Sequence, residues 1–395
     1  MLRIFRANQV FLFFIGAFAF FPPLGKGPTN LSMGLALLLG LFILKKKHFQ
    51  ITAFLKQPLI KPLGYFFGLL LISLFFSTNR LESLVMYSHM VTYILPFIMF
   101  AALKSCYQRD IEIDTKRILQ CYIAGSVVAA LYAIVQFIQT KQLHVTGFYN
   151  NSAIFASFLE VALPLTVALF LNAINVKQRC QYFLAGIVCA VAFILTQARG
   201  PWLGAGVALI LIGMLLREKV FIHKKTVIFC LLIILILVLA LSPLYVERIK
   251  TILDPKWPSN YERLLIWQST LKMIKDYPLT GVGLGQFIPI YNNKYLSPLS
   301  QDHYHFHAHN SFLMLAAESG IPVLIAFLYL LFQIFRRLIT NTKAHPRGAL
   351  VGILGVFVAI TLSSLVDCFL WASYLARTLW LLVGLSIYGN RQVEE

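Results

Sequence analysis

Charge is scarce in this sequence. Only 12% of its 395 residues are Asp, Glu, Lys or Arg, against 59% hydrophobic residues. Soluble chains carry roughly a quarter charged residues, so a water-facing globule is excluded. Acids are scarcer still: 15 stand against 34 Lys and Arg, for a net charge of +19. The cysteines Cys106, Cys121, Cys180, Cys189, Cys230 and Cys368 contain no CxxC pair. That spacing offers neither a disulfide framework nor a thiolate metal site. No internal repeat stands out, and no low-complexity segment beyond the apolar runs.

Those runs dominate the chain. Stretches such as VIFCLLIILILVLALSPL stay apolar for the length that crosses ~30 Å of hydrocarbon. About twelve segments of this kind begin near Phe11, Leu31, Leu63, Leu81, Leu119, Ser152, Tyr182, Trp202, Val227, Ser311, Leu350 and Ala372. The expected fold is all-α, a polytopic membrane protein with about 12 transmembrane helices. FPPLGKGPTN follows the first segment without a small-residue cleavage site, so that segment reads as a retained span.

Lys45, Lys46 and Lys47 follow the second span, and Lys104, Arg109, Lys116 and Arg117 the fourth. Lys177 and Arg179 follow the sixth, Arg217, Lys219, Lys224 and Lys225 the eighth, and Arg336, Arg337, Lys343 and Arg347 the tenth. This positive-inside pattern puts both termini in the cytoplasm and accounts for the net charge without a nucleic-acid partner. Three regions follow: 1–242 with helices 1 to 9, a large exterior loop at 243–310, and 311–395 with helices 10 to 12 and a short cytoplasmic tail. In the loop, ERLLIWQSTLKMIKDYP predicts an amphipathic helix with Leu264, Trp267, Leu271 and Ile274 on one stripe, packed over the bundle in preference to resting on lipid. TGVGLGQF reads as a tight turn, since neither its spacing nor its context makes a dinucleotide fingerprint.

HYHFHAHNSF places His303, His305, His307 and His309 at alternate positions. In a strand these would form a row with steps of ~6.5 to 7 Å. Zinc–nitrogen bonds are ~2.0 to 2.1 Å, so one ion reaches at most two neighbours and needs ligands from elsewhere. No metal or other cofactor is expected. Acid–base chemistry favours His309, which sits beside Asn310 where the loop meets the tenth span; the other three read as rim residues. Arg199, in the short exterior turn QARGPWLG, either serves a ligand or reaches lipid phosphate. Arg263, expected in the first turn of the amphipathic helix, is disfavoured by the helix dipole unless an anion or Glu262 pairs with it. Two guanidinium groups could hold a pyrophosphate without a metal. Glu160, Glu318 and Arg377 fall inside predicted spans at similar depth, which makes Glu318–Arg377 or Glu160–Arg377 a natural pair; the three read as structural or as lining a polar cavity.

The run HNSFLMLAAESG, with His309, Asn310 and Gly320, resembles the signature of the O-antigen ligase family; where the family has Gly, Thr or Tyr next, this chain has Val323. QARGPWLG and ERLLIWQSTLKMIKDYPLTGVGLGQF resemble the family's exterior arginine turn and pre-histidine loop. The resemblance implies a glycosyltransferase C-type fold in a Gram-negative inner membrane with a periplasmic active site. It implies transfer of a polysaccharide from undecaprenyl pyrophosphate to a sugar hydroxyl of the lipid A core, without a metal and with inversion. By it, Arg199 and Arg263 bind the pyrophosphate and His309 activates or orients the acceptor hydroxyl; Asn310, Glu318 and Arg377 are candidate supporting residues on their position in the sequence. Partners implied are the lipid-linked O-antigen, the lipid A core oligosaccharide and membrane lipids. Polymerisation of O-antigen repeats and protein O-glycosylation from the same donor are alternatives, and a membrane transporter is the alternative of another class.

Overall fold

A computed structural model describes residues 2–46, 49–106, 113–222, 254, 256–344, 348–370 and 372–388. The described residues are helical, with no named strand among them. Helices α1 (Leu2–Phe20), α2 (Lys26–Lys46), α3 (Ile51–Leu55), α4 (Ile60–Leu74), α5 (Arg80–Lys104) and α6 (Thr115–Thr140) come first. Then follow α7 (Ser152–Leu171), α8 (Val176–Leu195), α9 (Arg199–Leu215) and α10 (Arg217–Ile222). After the undescribed stretch come α11 (Pro258–Asp276), α12 (Phe287–Ile290), α13 (Ser311–Ser319), α14 (Ile321–Ala344), α15 (Gly348–Ser363) and α16 (Ser373–Tyr388).

Six of these, α2, α5, α6, α7, α8 and α14, are long and apolar enough to cross a membrane, which makes this a polytopic helical membrane protein. Shorter apolar helices lie at the predicted spans near Phe11, Leu63, Trp202, Leu350 and Ala372. The predicted span at Val227 and the first part of the predicted loop lie outside the described residues. Short polar side chains start many of the helices. Asn79, Asp114, Asn151 and Asn175 each accept a backbone N–H from the first turn that follows, satisfying donors the helix itself leaves open.

At the centre lies α7, apolar on every side and buried from Phe155 to Leu171 except at Val167, as expected of a helix enclosed by others. It packs against α8, α9 and α15. A Cβ on Gly204 of α9 would stand 2.5 Å from the Ala359 carbonyl oxygen of α15, so glycine is what allows these backbones to approach.

Two ends of the bundle are distinguished by contacts. Lys104 Nζ donates to Ile387 O at 2.6 Å and Asn341 Nδ2 to Ser386 O at 3.2 Å, gathering the last turns of α5, α14 and α16 at one end. At the other, Thr78 N donates to Val282 O, and Asn310 Nδ2 to Leu365 O. All the candidate loop chemistry lies at this second end.

Three expectations need correction. The predicted tenth span from Ser311 breaks at Gly320, whose φ is +86° and whose missing Cβ leaves room for the Leu279 carbonyl oxygen at 2.3 Å. The α13 segment therefore packs on α11, and only α14 has the length of a span. Next, α11 begins at Pro258, a residue suited to a first helical position. It buries Glu262, Leu265, Ile266, Ser269, Thr270 and Met273, while predicted-stripe residues Leu264 and Leu271 are exposed. Polar side chains are admitted to the inner face because each has somewhere to donate or accept, as Thr270 does at Ile266 O. Finally, Arg377 forms neither predicted carboxylate pair: it donates to Asn30 and Thr92, Glu160 accepts from Ser363, and Glu318 accepts from Phe287 N.

Candidate active site

The 279–285 turn locks the loop to the bundle. Gly281, Gly283 and Gly285 have φ of +66°, +117° and +78°, as the sequence-predicted tight turn requires. Through it, Val282 N donates to Ala317 O at 3.0 Å and Gly283 N to Glu318 O at 2.9 Å. Glu318 is buried; its carboxylate accepts from Phe287 N at 3.2 Å, fixing the start of α12. That bond ties the carboxylate to the fold of the loop.

Around α11 the loop closes through Glu262. Its two oxygens accept from Ser300 Oγ and Gln301 N, each at 2.6 Å. His305, expected at the rim, is instead buried; its Nε2 lies 3.0 Å from Ser300 Oγ, and its backbone exchanges two hydrogen bonds with Asn292. His303 is exposed. With Glu262 engaged there, the neighbouring Arg263 lies about 100° further round the helix, close enough for its charge to act on His307 and His309. Arg263 also sits in the second turn, since α11 starts earlier than expected, so the dipole argument against it loses force.

Arg199 approaches α11 from α9. A left-handed Gln197 (φ +54°) turns the chain out of α8, and Arg199 becomes the first residue of α9. Its Nη2 donates to Ser259 Oγ at 2.6 Å. Ser259 lies four residues before Arg263 on α11, which puts both on one helix face.

His309 completes the cluster. Its backbone is left-handed (φ +48°), a conformation costing a non-glycine residue about 1 to 3 kcal/mol and typical of functional positions. Asn310 holds the segment: its Oδ1 accepts from Phe312 N at 2.9 Å and Leu313 N at 3.0 Å as the cap of α13, and its Nδ2 donates to Leu365 O at 3.0 Å. Ser311 adds bonds to Ser364 O at 2.9 Å and Asp367 O at 3.3 Å. The α15–α16 turn is thereby fastened beside the histidines, placing Asp367 Oδ1 4.0 Å from His309 Nδ1. That gap is longer than a hydrogen bond, and Nδ1 is buried without one.

The His307 and His309 rings meet edge to face with centroids 4.1 Å apart. Burial, and then the charges of His307, Arg263 and His305, hold the His309 imidazole down at about 2. Burial lowers His307 as well, with Asp367 acting against it. Both rings are therefore neutral near pH 7, and His309 is able to accept a proton.

Sequence reasoning missed Ser259, His307 and Asp367. Asp367 had a signal: it is the only acid between Glu318 and Glu394, and it lies in the short turn SSLVDCF. Donor atoms of His307, His309 and Asp367 lie within 4.8 Å of one another, so two neighbouring histidines and an outside carboxylate do converge. Tetrahedral zinc would draw such donors to about 3.4 Å apart.

A comparison with curated proteins found no match. Residues 184–328 match the family model described as O-antigen ligase, a stretch that contains Arg199, Arg263, His309, Asn310 and Glu318. Over that matched stretch, the chain is similar to the O-antigen ligase family.

Proposed function

We propose that the protein is an O-antigen ligase, transferring polysaccharide from undecaprenyl pyrophosphate to a sugar hydroxyl of the lipid A core. The reaction is placed at the periplasmic face of the inner membrane, with both termini cytoplasmic. On this reading 1–242 and 311–395 supply about twelve spans, and 243–310 caps them on the periplasmic side. What supports the proposal is that Arg199 is bonded to Ser259, one turn before Arg263 on the same helix, and that the Arg263 charge acts on His309.

Arg199 and Arg263 grip the diphosphate and stabilise the charge that develops as it departs. His309 accepts the proton of the attacking hydroxyl, and Asp367 orients the imidazole and offsets the positive charge it gains. Asn310 acts indirectly by fixing the left-handed turn. An imidazole held near 2 is a weak base in the free enzyme. Burial is the main cause of this; bound diphosphate offsets the smaller contribution of Arg263 and so raises the basicity of His309 when the donor is present. Direct displacement by one activated hydroxyl inverts the anomeric carbon and uses no carboxylate nucleophile. No step calls on a metal, so transfer is expected to continue in EDTA.

The test is made in cells lacking the protein and complemented with variants. His309→Ala at normal abundance should leave core-only lipopolysaccharide and accumulated lipid-linked polymer. Core bearing a single repeat would instead identify a polymerase. Full-length ladders with His309→Ala would exclude the proposed chemistry.

A further inference from the structure

Away from the histidines, a cavity of about 350 Å³ opens between α2, α5 and α16, with Lys26, Asn30, His89, Tyr93, Ser373 and Arg377 in its wall. No acidic residue is among those lining it. Arg377 lies one turn into α16, about 6 Å from its first residue. Its Nη1 donates to Asn30 Oδ1, its Nη2 to Thr92 Oγ1 at 3.5 Å, and its guanidinium carbon stands 5.4 Å from the Tyr93 ring centroid. Every one of these partners is neutral, and Nε is buried with no partner at all.

A guanidinium placed inside a membrane helix without a carboxylate is expensive unless a ligand supplies the anion. Phosphate fits best, because its oxygens match the planar fork and Lys26 adds a second cation. The volume suits a phosphorylated sugar, at the small end of ligand pockets of ~300 to 1,000 Å³. The first residues of α2, α5 and α16 lie at the His309 end of the bundle: α5 starts after Thr78, which is bonded to Val282, and α16 starts six residues after Asp367.

We propose that this cavity is a second anion site, separate from the Arg199–Arg263 pair, holding a phosphate on the headgroup of the acceptor glycolipid. The proposal rests on the ligase reading, in which the acceptor is a lipid in the outer leaflet. It makes Arg377 a determinant of acceptor affinity with no part in the chemical step.

Purified protein in nanodiscs is assayed with lipid-linked donor and with core–lipid A acceptor in phosphorylated or dephosphorylated form. Arg377→Gln should raise KM for the phosphorylated acceptor roughly tenfold or more, the loss expected for a charged hydrogen bond, with kcat unchanged. With dephosphorylated acceptor it should change neither. Asn30→Asp keeps Arg377 paired and folded but places an anion in the cavity, and should raise the same KM. Equal effects on both acceptors, or a wild-type KM in Asn30→Asp, would overturn the proposal. Native mass spectrometry of His309→Ala protein reads acceptor binding without transfer, so it stands even where the ligase reading fails. Loss of bound phosphorylated glycolipid on Arg377→Gln supports the site; displacement of that glycolipid by phosphatidylglycerol would make it a general phospholipid site and refute the acceptor assignment.

Discussion

His309 combines a left-handed backbone, a half-buried ring and a buried Nδ1 facing Asp367 across 4.0 Å. Its folded pKa lies below the ordinary ~6.5, so the folded state binds fewer protons. The stability associated with the neutral ring is thus present above ~6.5 and lost as pH falls towards the folded value. For catalysis, kcat/KM for the donor, which reports the free enzyme, should stay flat from about pH 7 to about pH 5. The acid limb of kcat should lie at higher pH, because bound diphosphate screens Arg263. Asp367→Asn is expected to lower kcat by about tenfold to a hundredfold and shift that limb, leaving donor KM near wild type. An unchanged kcat profile would remove Asp367 from the mechanism. Arg263→Lys keeps the charge but not the fork, so it should recover only part of the loss seen with Arg263→Ala.

The helical elements were legible because membrane burial writes itself as uninterrupted apolar length. Where expectation failed, two local signals competed. In α11 the Leu264–Leu271 stripe has the helical period, but the neighbouring stripe through Glu262, Ser269 and Met273 is the one enclosed. Periodicity identifies the helix without deciding which face a loop will cover. In HNSFLMLAAESG apolar length continues straight through Gly320, and the break comes from a distant turn pressed against it. The Arg377 pairings failed because depth alone ignores azimuth around the bundle. Gly281 gives the sharpest test at this scale. Alanine there would need φ of +66° and a Cβ 2.4 Å from the Glu318 carbonyl oxygen. Gly281→Ala should destabilise the folded protein by more than about 1 kcal/mol, lowering its thermal midpoint and its activity together. An unshifted midpoint would show that the turn does not hold the loop as described.

Over the whole molecule, residues some hundred positions apart converge because α9 and the α15–α16 turn reach the end of the bundle that α11 and α13 cover. Arg199, Arg263 and His309 were legible as separate polar features in an apolar chain; the Arg199 bond to Ser259, one turn before Arg263, and the position of Asp367 beside His309 required the fold. Since the proposed chemistry assigns every charge to a side chain, EDTA should leave transfer intact, and a stoichiometric metal requirement would reassign the His307–His309–Asp367 cluster. The most direct measurement is donor binding and sugar transfer, made side by side on purified protein in nanodiscs with an undecaprenyl-pyrophosphate donor. The account predicts that His309→Ala binds donor as wild type does yet fails to transfer, whereas Arg199→Ala and Arg263→Ala lose both. Wild-type transfer by His309→Ala, or undiminished donor binding in both arginine variants, would contradict it.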